Sequence, residues 1–464
     1  MRASRRAVLG GALGAATLPL SGLAATPSAW DRALEILNRI KPPQFAKRDF
    51  DVTQYGAGSP SLLDDGPAFE QAIAACHAAG GGRVVVPAGE FKTGPIHLKS
   101  KLNLHLEKGA RIAFSTSTNR YLPLVFTRWE GVELMNYSPL IYALDCENIA
   151  VTGQGTLDGQ ASDTQWWPWK GKAAHGWREG MAKQDEARNR LFDMAERGVP
   201  VAERIFGDAC YLRPMFIQPY RCRNVLIEGV TLKRSPMWQI HPVLCTNVTV
   251  RDVTVDADGP NTDGCDPESC RDVLIERCYF NTGDDCIAIK SGRNADGRRI
   301  GVASQDIVIQ RCGMKNGHGA ITIGSEISGG VRNVFAENCW MDSPDLVHAI
   351  RIKNNAMRGG VLEHLHFRDM VIVQVAHAVL TIDENYEEGP NGPFTPVVRD
   401  VTLERVLSGR SAVAIDAQGL IRAPVHDVTL SYCEFANVEG PSIVQNVRGL
   451  KFENVRINGK LARP

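Results

Sequence analysis

A nine-residue phrase recurs along the chain and restricts what the polypeptide can fold into. It opens with Asn or Asp and continues with alternating, mostly β-branched residues. The copies are NIAVTGQGTL from Asn148, NVLIEGVTL from Asn224, NVTVRDVTV from Asn247 and DVLIERCYF from Asp272. They continue as DIVIQRCGM from Asp306, NVFAENCWM from Asn333, DVTLERVLS from Asp400 and DVTLSYCEF from Asp427, with GLKFENVRI from Gly449 as a weaker last copy. Spacings run mostly from 21 to 36 residues. Alternation puts every second side chain on one face of a strand. One such coil cannot bury that face alone, whereas a stack of coils can. The repeat therefore predicts an all-β chain, a single-stranded right-handed parallel β-helix. A β-propeller is the rival, but its blades need longer and more regular repeats. At 464 residues the chain could hold two or three average domains, yet one continuous stack accounts for most of it.

The repeat also interprets the cysteines. Cys278, Cys312, Cys339 and Cys433 take the seventh place of the phrase, where Val230 and Val253 stand in sister copies. A place that accepts valine is an apolar, inward column, so these four are read as stacked core thiols. Cys265 and Cys270 are read either as a local disulfide or as two free thiols. No CxxC pair offers metal spacing, so zinc is not expected.

The first 25 residues stand apart. A basic start, an apolar run from Ala7 to Leu23 and small residues around Gly22–Ala25 form the pattern of a cleaved export signal. Arg5-Arg6 resembles a bacterial twin-arginine signal. No later stretch is apolar for long enough to span a bilayer. The expected mature chain, 26–464, is thus exported, to the periplasm or to the outside of a bacterial cell. Losing Arg2, Arg5 and Arg6 takes the formal net charge from 0 to −3, which speaks against a general nucleic-acid surface. Ser28–Lys41 has helical apolar spacing and predicts a helix packed on the body. Phe50–Ala57 reads as a strand, and 65–79 as a helix, with Asp64 or Asp65 as N-cap, that covers the open edge of the first coil. Such an N-terminal capping helix leaves a monomer as the expected state. Gln160–Phe206 lacks the phrase, carries Trp166, Trp167, Trp169 and Trp177, and reads as an insertion forming a wall, with a helix from about Glu179 to Arg197. Its tryptophans either pack the insertion onto the body or stack on sugar rings.

Polar residues fall in order on consecutive coils. Asp263 comes first, then Asp284 and Asp285 at 21 and 22 residues further, then His318, then Arg351 and Lys353. Coils stack about 4.8 Å apart, so a coil-length separation crowds three carboxyls into one patch. Cleaving a glycosidic bond needs one carboxyl to protonate the leaving oxygen and an ionised partner to activate water. Arg351 and Lys353 point to one face and suit a substrate that is itself a carboxylate, such as a uronic acid. Lys290 and Arg293 either extend that cationic patch or are solvated. Each motif alone is an ordinary turn or surface feature; their common order on adjacent coils gives them weight.

Asn261-Thr262-Asp263, Gly283-Asp284-Asp285, Gly317-His318-Gly319 and Arg351-Ile352-Lys353 resemble the four signature motifs of glycoside hydrolase family 28, the polygalacturonases, in order and spacing. Tyr386, 33 residues after Lys353, stands where that family places a sugar-contacting tyrosine. The resemblance runs over nearly all of 26–464 and is weakest across the insertion. It implies a pectin-lyase-like solenoid that hydrolyses α-1,4-galacturonosyl linkages of polygalacturonate with inversion. It implies Asp284 as the general acid, Asp263 and Asp285 as the groups that hold and activate water, and His318 as a residue tuning the acid or the cleft. Arg351 and Lys353 would bind the galacturonate carboxylate, with Asn261, Gly317 and Tyr386 contacting substrate; Lys290 is a substrate-binding candidate by its charge alone. No metal or organic cofactor is implied. The insertion favours exo action; an endo-polygalacturonase and a rhamnogalacturonan-type hydrolase are the alternatives. A lyase would need a calcium-binding carboxylate set, and a non-catalytic glycan-binding β-helix would need no acids at these three positions.

Overall fold

The structure, a computed structural model, describes residues 28–59 and 64–464; the export signal lies outside the described residues. From Asp49 onward the chain winds into parallel coils. A sheet of 25 strands carries the recurring phrases, two strands to most coils. A second parallel sheet runs through 287–289, 317–323, 346–353, 378–383, 413–418 and 443–445. Single bridges through Ile240 and Cys265 join it to the strands 217–220, 141–144 and 96–97. Parallel strands joined by crossovers wind right-handed, as the repeat predicted.

Inward positions stack like on like. Val84, Leu104, Val151, Ile227, Val250 and Ile275 pair in register, and the column continues through Ile309 to Leu430. All are buried, each contributing about 1.5–3 kcal/mol through removal from water. The Asn or Asp opening each phrase adopts left-handed backbone, φ 52–59° from Asn148 to Asp427. These two residue types tolerate that conformation best after glycine. Their side chains form a ladder: Asn224 donates to Asn148 at 2.9 Å and Asn247 to Asn224 at 2.7 Å.

Where the ladder turns to aspartate, it needs cations. Helix α1 (Ala29–Arg39) supplies them. Arg39 bonds both Asp272 and Asp306, and Arg32 bonds Asp306. Ala33, Ile36 and Ile40 pack on Val308 and Phe335. This helix therefore lies along the side of the coils, while α2 (Gly66–Ala78) covers the end by burying Phe69, Ala72, Ile73 and Cys76. Asp65 stands at the N-cap of α2 but caps nothing, because its carboxylate accepts the Gly58 and Lys92 N–H groups.

Several expectations need correction. Phe50–Ala57 is not one strand: Asp49–Asp51 is extended and Val52–Tyr55 is a 3-10 turn, nucleated by the Asp51 side chain accepting the Thr53 N–H. One coil went uncounted. His364 stands where Asn or Asp was sought, adopts φ 56° like its counterparts, and opens the inner part of strand Val361–Gln374. Cys265 and Cys270 are both free thiols. They belong to different columns: Cys265 lies in the second sheet, whereas the Cys270 sulfur accepts the Cys245 N–H and the Cys245 sulfur the Cys222 N–H. The column Val230, Val253, Cys278, Cys312, Cys339 and Cys433 is buried throughout.

The insertion is an aperiodic wall. Helix α3 (Asp185–Glu196) starts later than expected and buries Ala187, Leu191 and Ala195 against Trp129, Val132 and Leu134. Those three belong to an antiparallel hairpin, 125–129 with 132–136, that no repeat announces. Helix α4 (Asn294–Ile300) follows, and its Asp296 pairs with Arg204 at 2.7 Å, both buried, so it ties wall to coils. Trp166 and Trp167 pack onto the body: Trp166 meets Tyr121 edge-on, and the Trp167 indole N–H donates to the Ser235 carbonyl at 2.9 Å, whereas the Trp177 indole N–H donates within the insertion, to the Met181 carbonyl.

Candidate active site

The site grows out of one row of the second sheet. Backbone bonds from Gln239 to Asp263, from Gly264 to Asp285 and from Cys286 to Gly319 place Trp238, Asp263, Asp285 and Gly319 in register on four successive coils. Asp284 precedes Asp285 and reaches the same space. Oxygens of Asp263, Asp284 and Asp285 lie within 4.8 Å of one another. Gly317 brings His318 over Asp284. At its φ of 145° a Cβ would stand 2.4 Å from the Asp284 carbonyl oxygen, so only glycine fits. That steric role is the one the structure gives Gly317, which is not itself among the residues lining the cleft.

Each carboxyl has a different neighbourhood. Asp284 accepts the Asp285 N–H at 2.9 Å, and its Oδ1 lies 3.0 Å from His318 Nδ1. Burial pushes the Asp284 pKa up, but the His318 bond and surrounding cations bring it below the usual carboxylate value. That bond in turn raises His318. Asp285 is fully buried with Lys353 Nζ at 2.7 Å and Arg351 at 3.6 Å. Burial works against its ionisation, yet Lys353 and then Arg351 outweigh it and hold Asp285 as a carboxylate. Asp263 faces Lys290 at a longer 3.8 Å. Burial, then the Asp284 charge, raises its pKa well above the ordinary value. Behind it sits Asp266, fully buried, with no hydrogen-bond partner on either oxygen; burial and then Asp263 push it up likewise. Environments that drive neighbouring carboxyls apart in pKa are what acid–base chemistry requires.

Asn261, Lys290 and Tyr386 complete the expected set. Asn261 Nδ2 lies 3.4 Å from Asp284, and its Oδ1 accepts from buried Arg213 at 2.8 Å. Arg213 also donates to the Pro236 and Pro260 carbonyls, fixing the turn that carries Asn261 and Asp263. Lys290 is not solvated: its ammonium lies 3.2 Å from Glu326 and 4.3 Å from the Trp238 ring centroid. Arg293 is buried as well, 3.5 Å from Glu326. Tyr386 stands with its ring 5.3 Å from Lys353 Nζ and 5.6 Å from Arg351.

Every expected site residue except Gly317 lines one cleft of about 510 Å³, whereas Arg213, Asp266 and Arg293 lie outside its lining. The equal 33-residue steps from Asp285 to His318 and from His318 to Arg351 do not mean one row. Arg351 pairs with Thr322, so it lies further along the strand than His318. Sequence reasoning missed Trp238, Glu326 and the insertion's Lys170, Lys172 and Arg188, which also line the cleft. Trp238 was findable by counting one coil back along the Asp263 row. The others lie outside the repeat and leave no periodic trace. Among the described residues two groups could bring three ligand atoms to a metal: Asp263 with Asp284 and Asp285, and, elsewhere, exposed His364 with buried His366 and half-buried Asp400. At the first, Lys353, Arg351 and Lys290 already supply positive charge to the acids.

The chain is similar to known proteins. A solved structure of a hyperthermoactive exopolygalacturonase from Thermotoga maritima is 46% identical with a TM-score of 0.90, over 93% of this chain and 96% of that one. A Vitis vinifera protein named "Probable polygalacturonase" is 27% identical over 409 residues, 82% of this chain and 75% of that protein. The exo-poly-alpha-D-galacturonosidase of Dickeya chrysanthemi is 24% identical over 450 residues, 87% of this chain and 70% of its own. The sequence model for glycosyl hydrolases family 28 matches residues 204–455. That span is more than half of the chain and carries all four motifs, and the chain belongs to glycosyl hydrolases family 28.

Proposed function

We propose that the protein is an exo-polygalacturonase. It hydrolyses α-1,4-galacturonosyl linkages near the non-reducing end of polygalacturonate. The observation that carries this reading is one cleft holding three carboxyls beside Arg351 and Lys353, a reaction centre joined to a carboxylate-binding pair. The wall formed by the insertion and the 125–136 hairpin supports exo action, because it contributes Lys170, Lys172 and Arg188 to the same cleft.

In the mechanism, Asp284 donates its proton to the leaving oxygen. One proton is shared across the 3.0 Å bond between Asp284 and His318. The galacturonate carboxylate binding at Arg351 and Lys353 offsets the cations that hold Asp284 ionised, and the shared proton then moves onto Asp284. Asp263 and Asp285 orient the attacking water, and as its oxygen bonds to the anomeric carbon and the glycosidic bond breaks, its proton passes to the Asp285 carboxylate. The trio is closer than the ~6.5–9.5 Å usual for inverting glycosidases, so inversion rests on a different observation: Lys353 and Arg351 pin Asp285, which favours a fixed water-orienting carboxylate over a nucleophile. The raised pKa of Asp263 favours a second assignment, with Asp263 as the acid. A substrate with an activated leaving group separates the two, because removing the true acid costs little when the leaving group needs no proton. Asp284→Asn is expected to keep near-native turnover on such a substrate and Asp263→Asn to lose it; the reverse would move the acid to Asp263.

The working unit is a single β-helix domain, 26–464, released from an export signal at 1–25 of twin-arginine type, acting as a monomer in the periplasm or outside the cell. The reading is tested by early products from de-esterified polygalacturonate with a chelator present. Mono- or digalacturonate from the first minutes, slow viscosity loss and no unsaturated ends are expected. A ladder of oligomers with rapid viscosity loss would make the enzyme endo-acting, and activity confined to rhamnogalacturonan would change the substrate.

A further inference from the structure

Most cations of the cleft are already engaged. Arg351 and Lys353 face Asp285, Lys290 faces Glu326, and Arg188 lies 2.7 Å from Glu130. Lys170 differs. It lines the cleft half-buried, and among the described residues its ammonium has no carboxylate within ion-pair distance. Burial presses its pKa down, with Glu130 opposing. A cation desolvated without a partner is costly unless an anion arrives.

Its position is fixed relative to the acids. Lys170 ends the turn Trp167–Lys170, and the Trp167 ring lies across Gly259, where a Cβ would stand 2.2 Å from Trp167 Cε2. Gly259 is two residues before Asn261 and four before Asp263. The Gln184 N–H donates to the Trp169 carbonyl at 2.8 Å, and the Gln184 side chain accepts from Arg213, the same guanidinium that holds Asn261. Lys172, two residues on, is exposed and lines the same cleft. In coil order these lysines flank the acids on the side away from Arg351, Lys353 and Tyr386.

We infer that Lys170, with Lys172 beside it, forms a second carboxylate site that receives the terminal uronate at the closed, non-reducing end of the bound chain. The inference rests on the exo-polygalacturonase reading and adds to it: the enzyme reads charge at the chain end as well as at the bond it cuts. A terminal sugar whose carboxyl is neutral covers half-buried Lys170 without supplying its anion and binds poorly.

The test compares kcat/KM on trigalacturonate with kcat/KM on trigalacturonate methyl-esterified at its non-reducing end, for the wild type, Lys170→Gln and Lys170→Arg. The wild type should prefer the free acid by about 10- to 100-fold, the range of one hydrogen-bonded charge. Lys170→Gln should shrink that preference to within about 3-fold by losing activity only on the free acid, and Lys170→Arg should restore most of it. A Lys170→Gln protein that keeps the wild-type preference overturns the inference while leaving the hydrolase intact. Failure of the wild type to hydrolyse any galacturonate oligomer overturns the underlying reading and this inference with it.

Discussion

The coils and the wall are built by opposite rules. In the coils every functional side chain hangs from a backbone whose register is set many times over by stacked apolar columns, as Asp263 and Asp285 are by Cys265 and Ile287 two residues on. In the wall, position is set by individual, unrepeated contacts: Trp167 on Gly259, Asp296 with Arg204, Arg213 with Gln184. The difference teaches a division of labour. The redundant scaffold holds groups that must keep sub-ångström geometry through the reaction. The aperiodic part, free to vary without breaking the stack, determines which portion of a polymer reaches them.

That division makes predictions of decreasing size. Asp284→Asn should lower kcat on polygalacturonate by about 10²–10⁴-fold with KM nearly unchanged, the usual worth of a general acid; a comparable loss in KM would put the coil residue in binding. His318→Asn should lower kcat by roughly 10–100-fold and move the alkaline limb of the kcat/KM profile to lower pH. The sign follows from the pair. His318 is raised by its bond to Asp284, so it retains the shared proton above the ordinary histidine value near 6.5, and activity falls as pH rises through the raised value. An unmoved limb would remove His318 from proton storage. Gly259→Ala should act through the wall, raising KM about 10-fold with kcat largely kept, because the new methyl displaces Trp167 and with it Lys170. A fall in kcat alone would erase the boundary between the two regions.

Stability draws the finer lines. Asp266 is raised by burial and then by Asp263, so the folded chain holds a proton that the unfolded chain releases. Its contribution is therefore full below the unfolded value near 3.9 and declines as pH rises toward the folded value. Asp266→Asn, which mimics the protonated acid, should flatten that decline in urea titrations run from pH 4 to 8. An unchanged pH slope would mean Asp266 is not protonated. Smallest of all, Cys312→Val should cost less than about 1.5 kcal/mol, as valine already fills the same column at Val230 and Val253.

What could be read from the sequence follows the same boundary. Asp263, Asp284, Asp285, His318, Arg351 and Lys353 were legible because coil length converts sequence distance into spatial contact. Even there the conversion is coarse. His318 and Arg351 fall on consecutive coils 33 residues apart, yet the register puts Arg351 further along its strand. The coil opened by His364 escaped notice because the left-handed corner accepted a residue outside the Asn/Asp pattern. Lys290 stayed open between the cationic patch and solvation, since nothing near it in sequence announces Glu326 or the face of Trp238. The 125–136 hairpin and the seating of α3 were illegible, because their packing joins segments some 60 residues apart without a repeat to index them.

The central claim is that three coil-borne carboxyls act on the sugar through water. The anomeric configuration of the first-formed product, followed by proton NMR within the first minutes of hydrolysis and before mutarotation, tests it most directly. The account predicts the β-anomer from the α-linked substrate, the outcome of a single displacement by water oriented between Asp263 and Asp285. The α-anomer as first product would mean that one of these carboxylates attacks the sugar itself, and would contradict the account.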